Sequence, residues 1–143
     1  FLMAGPGCYA QDSQGTAPSS NSGSVQWFDG WYQNTEGYAK AVEEYQRTNK
    51  PMFVYMSVTW CPYCRKFEKG VLSSPQVREF LRDKIKVTIN PDAGSRENAI
   101  AMKYGIRGYP SLFLHPPQPG RAVQLYTGVT PEDFIEQVQQ ALR

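Results

Sequence analysis

Apolar residues recur along this chain in two patterns, a helical spacing and short continuous runs. The helical spacing predicts helices over residues 35–48, 61–69, 74–81, 95–104 and 130–142. The continuous runs are rich in β-branched and aromatic residues and predict strands over residues 51–58, 85–89, 111–114 and 123–126. Helices and strands therefore alternate, except that two strands follow each other near the C-terminal end.

Local signals mark several boundaries of these elements. Gly70 and Gly105 are predicted to end the second and fourth helices, because glycine is common just after a helix. Ser74 and Thr130 are each followed by proline, which indicates an N-cap with proline at the first helical position. The turn-rich segment HPPQPGR at residues 115–121 joins the last two strands and predicts a hairpin.

The predicted fold class is α/β. The order α-β-α-α-β-α-β-β-α gives a central mixed sheet, in which an antiparallel hairpin extends a parallel core and helices cover both faces. Several α/β folds share this order, so periodicity alone does not choose among them. The folded domain is predicted over residues 25–143, because the segment before it has almost nothing apolar to bury.

Residues 1–24 are predicted to be a signal-peptide remnant followed by a flexible tether. Residues 11–24 (QDSQGTAPSSNSGS) have the composition of a flexible linker, and residues 1–4 match the end of an apolar signal-peptide core. Cys8 has three interpretations: removal by cleavage before Gln11, lipid modification that tethers the protein, or an incidental free thiol. The first two imply export, so the expected location is periplasmic or secreted, with a possible membrane tether.

Composition excludes several classes of function. The 143 residues carry 15 basic and 13 acidic side chains, interspersed along the chain, so nothing favours a nucleic-acid partner. No apolar run approaches the roughly 20 residues that span a bilayer. Three cysteines are too few for a disulfide-stapled scaffold.

The pair Cys61 and Cys64 has three possible roles. A structural zinc site needs four ligands, and beyond this pair the chain offers only Cys8 and His115. A structural disulfide would close a loop too small to stabilise much. A redox couple explains more, because the pair follows a buried strand and opens a helix, the context in which such pairs are redox active.

The helix start gives the two sulfurs different roles. Unpaired N–H groups at a helix N-terminus favour a thiolate at Cys61, which would be the nucleophile. Cys64 lies almost one turn further on and is predicted to face inward, where it can attack a mixed disulfide. Pro62 fits the first helical turn, and Tyr63 is predicted to be exposed and to contact partners.

Three motifs resemble the thioredoxin superfamily: WCPYC at residues 60–64, KYGIRGYP at 103–110 and YTGV at 126–129. Residues 61–69 and 74–77 also resemble the C-terminal periplasmic domain of thiol:disulfide interchange reductases and small secreted thioredoxin-like proteins of bacteria. The resemblance implies a thioredoxin-like fold and reduction of disulfides in partner proteins.

The same resemblance assigns roles to residues outside the cysteine pair. Pro110 is expected to be the cis-proline that faces the sulfurs, with the Tyr109 backbone presented to an extended substrate segment; the alternative is an ordinary trans turn proline. Trp60 and Tyr109 are expected to form an apolar rim that receives a partner. Trp27 and its aromatic neighbours are expected to pack on the domain rather than form a second exposed patch.

Glu68 lies four residues after Cys64, on the same helical face. Two interpretations stay open: a partly buried acid that tunes the thiols and takes the Cys64 proton, or a surface glutamate among basic residues. Many thioredoxins carry a buried aspartate six residues before the first cysteine, where this chain has Tyr55. Glu68 or water is therefore the remaining candidate for proton acceptor.

The predicted function is extracytoplasmic thiol-disulfide exchange through Cys61 and Cys64. It requires no cofactor and no metal, and its partners are protein dithiols or disulfides and an unidentified redox partner. The protein is expected to act as a monomer. The alternative is a non-enzymatic metal-carrier or binding module on the same fold.

Overall fold

A computed structural model of the protein describes residues 25–118 and 120–143. The predicted tether and Cys8 lie outside these residues. Eleven segments of regular structure follow in order: β1 (Tyr32–Gln33), α1 (Asn34–Thr48), β2 (Met52–Met56), α2 (Pro62–Phe67) with a π-helical turn (Glu68–Leu72), α3 (Pro75–Leu81), β3 (Ile85–Ile89), α4 (Ser95–Tyr104), β4 (Ser111–His115), β5 (Val123–Leu125) and α5 (Pro131–Ala141). A short 3₁₀ turn (Pro91–Ala93) precedes α4.

The five strands form one mixed sheet in the order β1-β3-β2-β4-β5. Strands β1, β3 and β2 are parallel, whereas β4 and β5 are antiparallel to their neighbours. The parallel core with an antiparallel hairpin is thus confirmed. Strand β1 was not predicted, because two residues are too few to show a periodic pattern.

Strand β2 lies in the middle of the sheet and is buried on both faces, which explains its continuous apolar sequence. Its side chains alternate between two cores. Phe53 and Tyr55 face the core under α2, α3 and α5, whereas Val54 and Met56 face the core under α1 and α4. Helices therefore cover both faces of the sheet, as predicted.

The N-terminal aromatic residues pack on the domain, as expected. Trp31 is buried, and Trp27 packs beside it with ring centroids 5.4 Å apart. The Trp27 ring also meets the Tyr55 ring edge-on at 5.5 Å. The segment before β1 is therefore part of the core that surrounds Tyr55.

The prediction that Gly70 ends the second helix is wrong. The helical segment continues from α2 through a π-helical turn, closed by a hydrogen bond of 2.9 Å from the Ser73 N–H to the Glu68 carbonyl. Glycine in a helix costs about 0.5–1 kcal/mol. Burial of Val71 and Leu72 beyond it contributes about 1.5–3 kcal/mol each and outweighs that cost.

This correction can be tested with two alanine substitutions. Neither Gly70 nor Gly105 has a neighbour within 4 Å of an added Cβ, but Gly105 has φ +65° and Gly70 lies in helical backbone. Gly70→Ala should raise the free energy of unfolding by about 0.5–1 kcal/mol. Gly105→Ala should lower it by about 1–2 kcal/mol. Urea denaturation measures both, and equal effects would contradict this account.

Candidate active site

The cysteine pair lies where β2 leads into α2. Cys61 is the N-cap residue of α2, and its Sγ accepts a hydrogen bond of 3.0 Å from the Cys64 N–H. Pro62 occupies the first helical position, where a backbone N–H has no intrahelical partner. The strand–CxxC–helix arrangement predicted from the sequence is therefore present.

The two thiols are free and differ in burial. Cys61, the predicted nucleophile, is only 4% exposed, and Cys64 is fully buried at 0%. Burial is the main reason that the pKa of Cys64 is raised to about 11, and the hydrogen bond with Cys61 raises it further. Hydrogen bonds from the Val58 backbone and the Ser57 side chain oppose this rise. Cys64 is therefore a protonated thiol at neutral pH.

Aromatic side chains surround the cysteines on the solvent side. Trp60 is 66% exposed and Tyr63 is 72% exposed. The Trp60 indole donates a hydrogen bond of 2.9 Å to Asp92, and its ring meets the Tyr109 ring edge-on at 5.9 Å. These contacts hold a large apolar surface in a fixed orientation beside Cys61.

Strand pairing brings the loop before β4 to the same place. Ser111, the first residue of β4, pairs with Met56, the last residue of β2. The preceding Tyr109–Pro110 peptide bond is cis, and the half-buried Tyr109 packs against the cluster formed by Val58, Cys61 and Cys64. Sequence positions almost fifty residues apart therefore meet at one edge of the sheet.

Glu68 is buried rather than at the surface, at 5% exposed. Its Oε2 accepts hydrogen bonds from the Tyr55 hydroxyl at 2.9 Å and the Ser57 hydroxyl at 2.7 Å. The Arg65 guanidinium contacts both carboxylate oxygens at 2.9 Å. A charged carboxylate is stable inside a protein only with such partners.

Tyr55 occupies the position, six residues before Cys61, at which many thioredoxins carry a buried aspartate. Its side chain is fully buried, and burial followed by the charge of Glu68 raises the pKa of its hydroxyl. The hydroxyl therefore stays protonated and acts as a donor to Glu68. The acid of this site comes from the helix, and the Tyr55 and Ser57 hydroxyls at the end of the strand donate to it together with Arg65 of the helix.

Ser57 and Arg65 were not predicted to be site residues. Arg65 donates to the Ser57 hydroxyl at 2.8 Å and to the carbonyls of Val58 and Thr59 at 3.2 Å each. Two signals were available: a serine in an otherwise apolar strand, and Arg65 three residues before an acid on the same helix face.

His115 is far from the cysteines. It lies at the opposite end of β4 from Ser111 and is hydrogen bonded to the Tyr104 hydroxyl at 2.6 Å. In the part of the chain that the structure describes, no three His, Cys, Asp or Glu side chains are grouped so that they could hold a metal ion. No helix among those residues combines the length and apolar character needed to cross a membrane.

The difference between the two thiols predicts their reactivity. With the pKa of Cys64 near 11, about one in a thousand of these thiols is ionised at pH 8. Iodoacetamide should therefore modify one thiol per reduced, folded protein at pH 8, and peptide mass spectrometry should locate it at Cys61. Cys64 should react only above about pH 10 or in denaturant. Modification of Cys64 first would contradict the assignment.

Comparisons with known proteins agree with this geometry. A family model described as Thioredoxin-like matches residues 31–117. The thiol:disulfide interchange protein DsbD of Escherichia coli K12 is 29% identical over 66 residues, which are 46% of this chain and 12% of that protein. The chain thus matches a small part of that relative.

Solved structures share the fold. The oxidised C-terminal domain of Neisseria meningitidis DsbD matches with a TM-score of 0.67 at 22% identity, covering 79% of this chain and 99% of that one. A thioredoxin from Thermus thermophilus matches with a TM-score of 0.64 at 22% identity, covering 78% and 87% respectively. The sheet order, the site and the matched family model together establish that this chain belongs to the thioredoxin-like family.

Proposed function

We propose that this protein is a thiol:disulfide oxidoreductase that exchanges disulfides with partner proteins. The observation that carries the proposal is the placement of two free thiols at a helix start, with Cys61 at the N-cap and Cys64 directly beneath it. Membership in the thioredoxin-like family supports the same activity.

The reaction consists of two exchanges. The Cys61 thiolate attacks one sulfur of a partner disulfide, a Cys61–partner bond forms, and the other partner sulfur leaves with the electron pair. The Cys64 thiolate then attacks Cys61, so that the Cys61–Cys64 bond forms and the partner leaves as a thiolate. The partner has gained two electrons and the enzyme is oxidised; the reverse sequence oxidises a dithiol.

Glu68 is the proposed acceptor for the Cys64 proton. A buried thiol with a raised pKa becomes a nucleophile only when a base removes its proton. Glu68 is the carboxylate one helical turn beyond Cys64, and it is buried as the thiol is. With no acid at position 55, Glu68 and water remain as candidates, and burial of Glu68 on the same helix as Cys64 supports Glu68.

The partner is proposed to bind over the aromatic rim. Trp60, Tyr63 and Tyr109 supply apolar area, Pro62 is exposed beside them, and the backbone before Pro110 can pair with an extended segment.

A groove of about 550 Å³ continues this surface between the CxxC helix and the start of α5. Tyr63, Phe67 and Val71 line one side and Val129 and Pro131 line the other. In this proposal the groove binds residues that flank the partner cysteine.

Cysteine variants test the proposal. Cys61→Ser should abolish reduction of insulin disulfides by dithiothreitol-recycled protein, because the nucleophile is lost. Cys64→Ser should accumulate mixed disulfides with partner proteins, visible on non-reducing gels and absent from the Cys61→Ser/Cys64→Ser control. A wild-type protein that turns over no disulfide but binds Zn²⁺ or Cu⁺ through the two thiols would instead support the carrier alternative.

The direction of electron flow is set by the reduction potential of the Cys61–Cys64 couple against glutathione, and a strongly negative value favours reduction of partners. The proposal has the protein acting as a monomer, and sedimentation equilibrium of the purified protein checks this.

We also propose that the protein is exported. Residues 25–143 are then the functional domain, and residues 1–24 are a signal-peptide remnant or tether. Disulfide exchange of this kind suits an oxidising compartment. A fusion of the protein with its natural N-terminal region to alkaline phosphatase should be active, since that reporter requires export; an inactive fusion contradicts the proposal.

The mass of the intact protein distinguishes cleavage before Gln11, a lipid on Cys8 and a free thiol.

A further inference from the structure

A partner chain bound at Cys61 extends away from its reacting cysteine in two directions. The groove between the CxxC helix and α5 lies on one face of the sheet, since Phe67 and Val71 belong to the core under those helices. A cavity lined by Phe113 lies on the opposite face, because Phe113 belongs to the core under α1 and α4. A partner segment on that second face would meet different side chains.

Two cavities lie along the β4–β5 hairpin. The first, of about 410 Å³, begins at the rim, because Tyr109 and Pro110 line it together with Arg107, Ser111 and Gln124. The second, of about 460 Å³, has these side chains in its lining: Tyr38, Lys103, Tyr104, Phe113, His115 and Arg121.

The two cavities adjoin along β4. Gln124 of the first pairs across the hairpin with Phe113 of the second, and opposite residues of an antiparallel pair lie side by side on one face. Ser111, Phe113 and His115 share that face because side chains alternate along a strand. Four steps of about 3.3 Å from Ser111 to His115 give a continuous hairpin trough roughly 13 Å long.

Aromatic side chains form the floor of the hairpin trough. Tyr104 packs on Phe113 with ring centroids 4.9 Å apart, and its hydroxyl is hydrogen bonded to Tyr38 at 3.1 Å and to His115 at 2.6 Å. Burial and the charge of Lys103 lower the pKa of His115, so the imidazole is neutral at neutral pH. The floor therefore offers apolar area in a fixed shape and adds no charge.

The charge of the hairpin trough is entirely basic. Lys103, Arg107 and Arg121 are exposed and line it, and among the described residues no aspartate or glutamate does. None of the three forms an ion pair with another described residue. The groove on the other face is different, because Lys66 and Asp133 line it with one charge of each sign. Charge therefore distinguishes the two sides of the rim.

We propose that the hairpin trough binds an acidic, extended segment of the partner protein, next in sequence to the partner's reacting cysteine. The inference rests on the proposed disulfide exchange and deepens it by naming the class of partner segment. Carboxylates of the segment pair with Lys103, Arg107 and Arg121, and the apolar parts of its side chains pack on the aromatic floor. A trough of this length holds about four extended residues.

Peptides with a single cysteine test this preference. Each carries its cysteine as a mixed disulfide with nitrothiobenzoate and has four glutamates either before or after the cysteine; matched peptides have four glutamines there. Attack by Cys61 on the peptide sulfur forms a Cys61–peptide disulfide, and nitrothiobenzoate leaves with the electron pair and is measured by its absorbance. Each rate is divided by the rate of the same disulfide with dithiothreitol, which corrects for intrinsic reactivity.

The preference should be confined to one side of the peptide cysteine. Glutamates on that side should speed the reaction about eight- to thirtyfold over glutamines, because each of three exposed ion pairs contributes about two- to threefold. Glutamates on the other side should have little effect, since the groove there carries both signs of charge. Sodium chloride at high concentration should reduce the preference, because salt screens exposed charges.

Two triple variants locate the preference. The trough variant replaces the three cations of the hairpin trough: Lys103→Gln, Arg107→Gln and Arg121→Gln. The control variant replaces three exposed cations that line neither cavity: Lys40→Gln, Arg96→Gln and Arg143→Gln. Both lose the same charge, so only the trough variant should lose the preference for glutamate.

A single substitution makes the opposite change. Gln124→Glu places a carboxylate midway along the hairpin trough and should favour peptides with four lysines over those with four glutamates. Gln139→Glu adds the same charge at an exposed position on α5 and should leave the preference for glutamate in place.

Nuclear magnetic resonance gives a readout that needs no reaction. The glutamate peptides, with serine in place of cysteine, are titrated into the Cys61→Ser/Cys64→Ser protein. Amide shifts should concentrate in β4, β5 and the end of α4, and shifts confined to other elements would contradict the inference. Thermal unfolding identifies any variant that fails to fold, and this titration then decides without it.

The outcomes separate the trough from the exchange reaction. Equal rates for glutamate and glutamine peptides on both sides overturn the trough and leave disulfide exchange intact. A preference that survives in the trough variant, or that the control variant loses equally, also overturns the trough, because net charge then explains it. Release of no nitrothiobenzoate from any peptide by the wild-type protein overturns the proposed function itself.

Discussion

Complete burial of the Cys64 thiol is the constraint on which the arrangement of this site depends. Burial protects the sulfur and keeps it within reach of Cys61, but it also raises the pKa of the thiol to about 11. The proposed resolving step therefore needs a proton acceptor, the role that we propose for Glu68. A buried carboxylate is costly unless it is paired and hydrogen bonded, so Glu68 is in turn surrounded by Arg65, Tyr55 and Ser57.

The fold supplies these partners from two elements that meet at one edge of the sheet. Tyr55 and Ser57 come from β2 and the residue after it, and Arg65 and Glu68 come from the helix that follows. Removing any one partner would leave a buried polar group unsatisfied, which costs about 1–3 kcal/mol. Trp27 packs against Tyr55, so the segment before β1 also helps to hold the Tyr55 side chain in place.

The bounds of helices and strands could be predicted from the sequence where neighbouring residues alone determine them. The bounds of β3 and α4 match the prediction, because an apolar run or a helical spacing ends there at a clear turn residue. Gly70 was misjudged because the burial of Val71 and Leu72, which keeps the helix going, is a tertiary effect. Ser57 was missed for a similar reason. Its role depends on the helix side chains that contact it, and the sequence of the strand does not show which side chains those are.

The identity of residue 55 determines whether the buried carboxylate lies on the strand or on the helix. Where a strand carries an aspartate, the sheet fixes the carboxylate; here the strand carries a phenol, and Glu68 reaches toward it from the helix. An aspartate at position 55 would place a second carboxylate beside Glu68 rather than simply move the acid from the helix to the strand. Two carboxylates in one buried site repel, and one of them would stay protonated. Tyr55 and Glu68 therefore form a matched pair, in which the tyrosine fills the space, donates a hydrogen bond and leaves the negative charge to one residue.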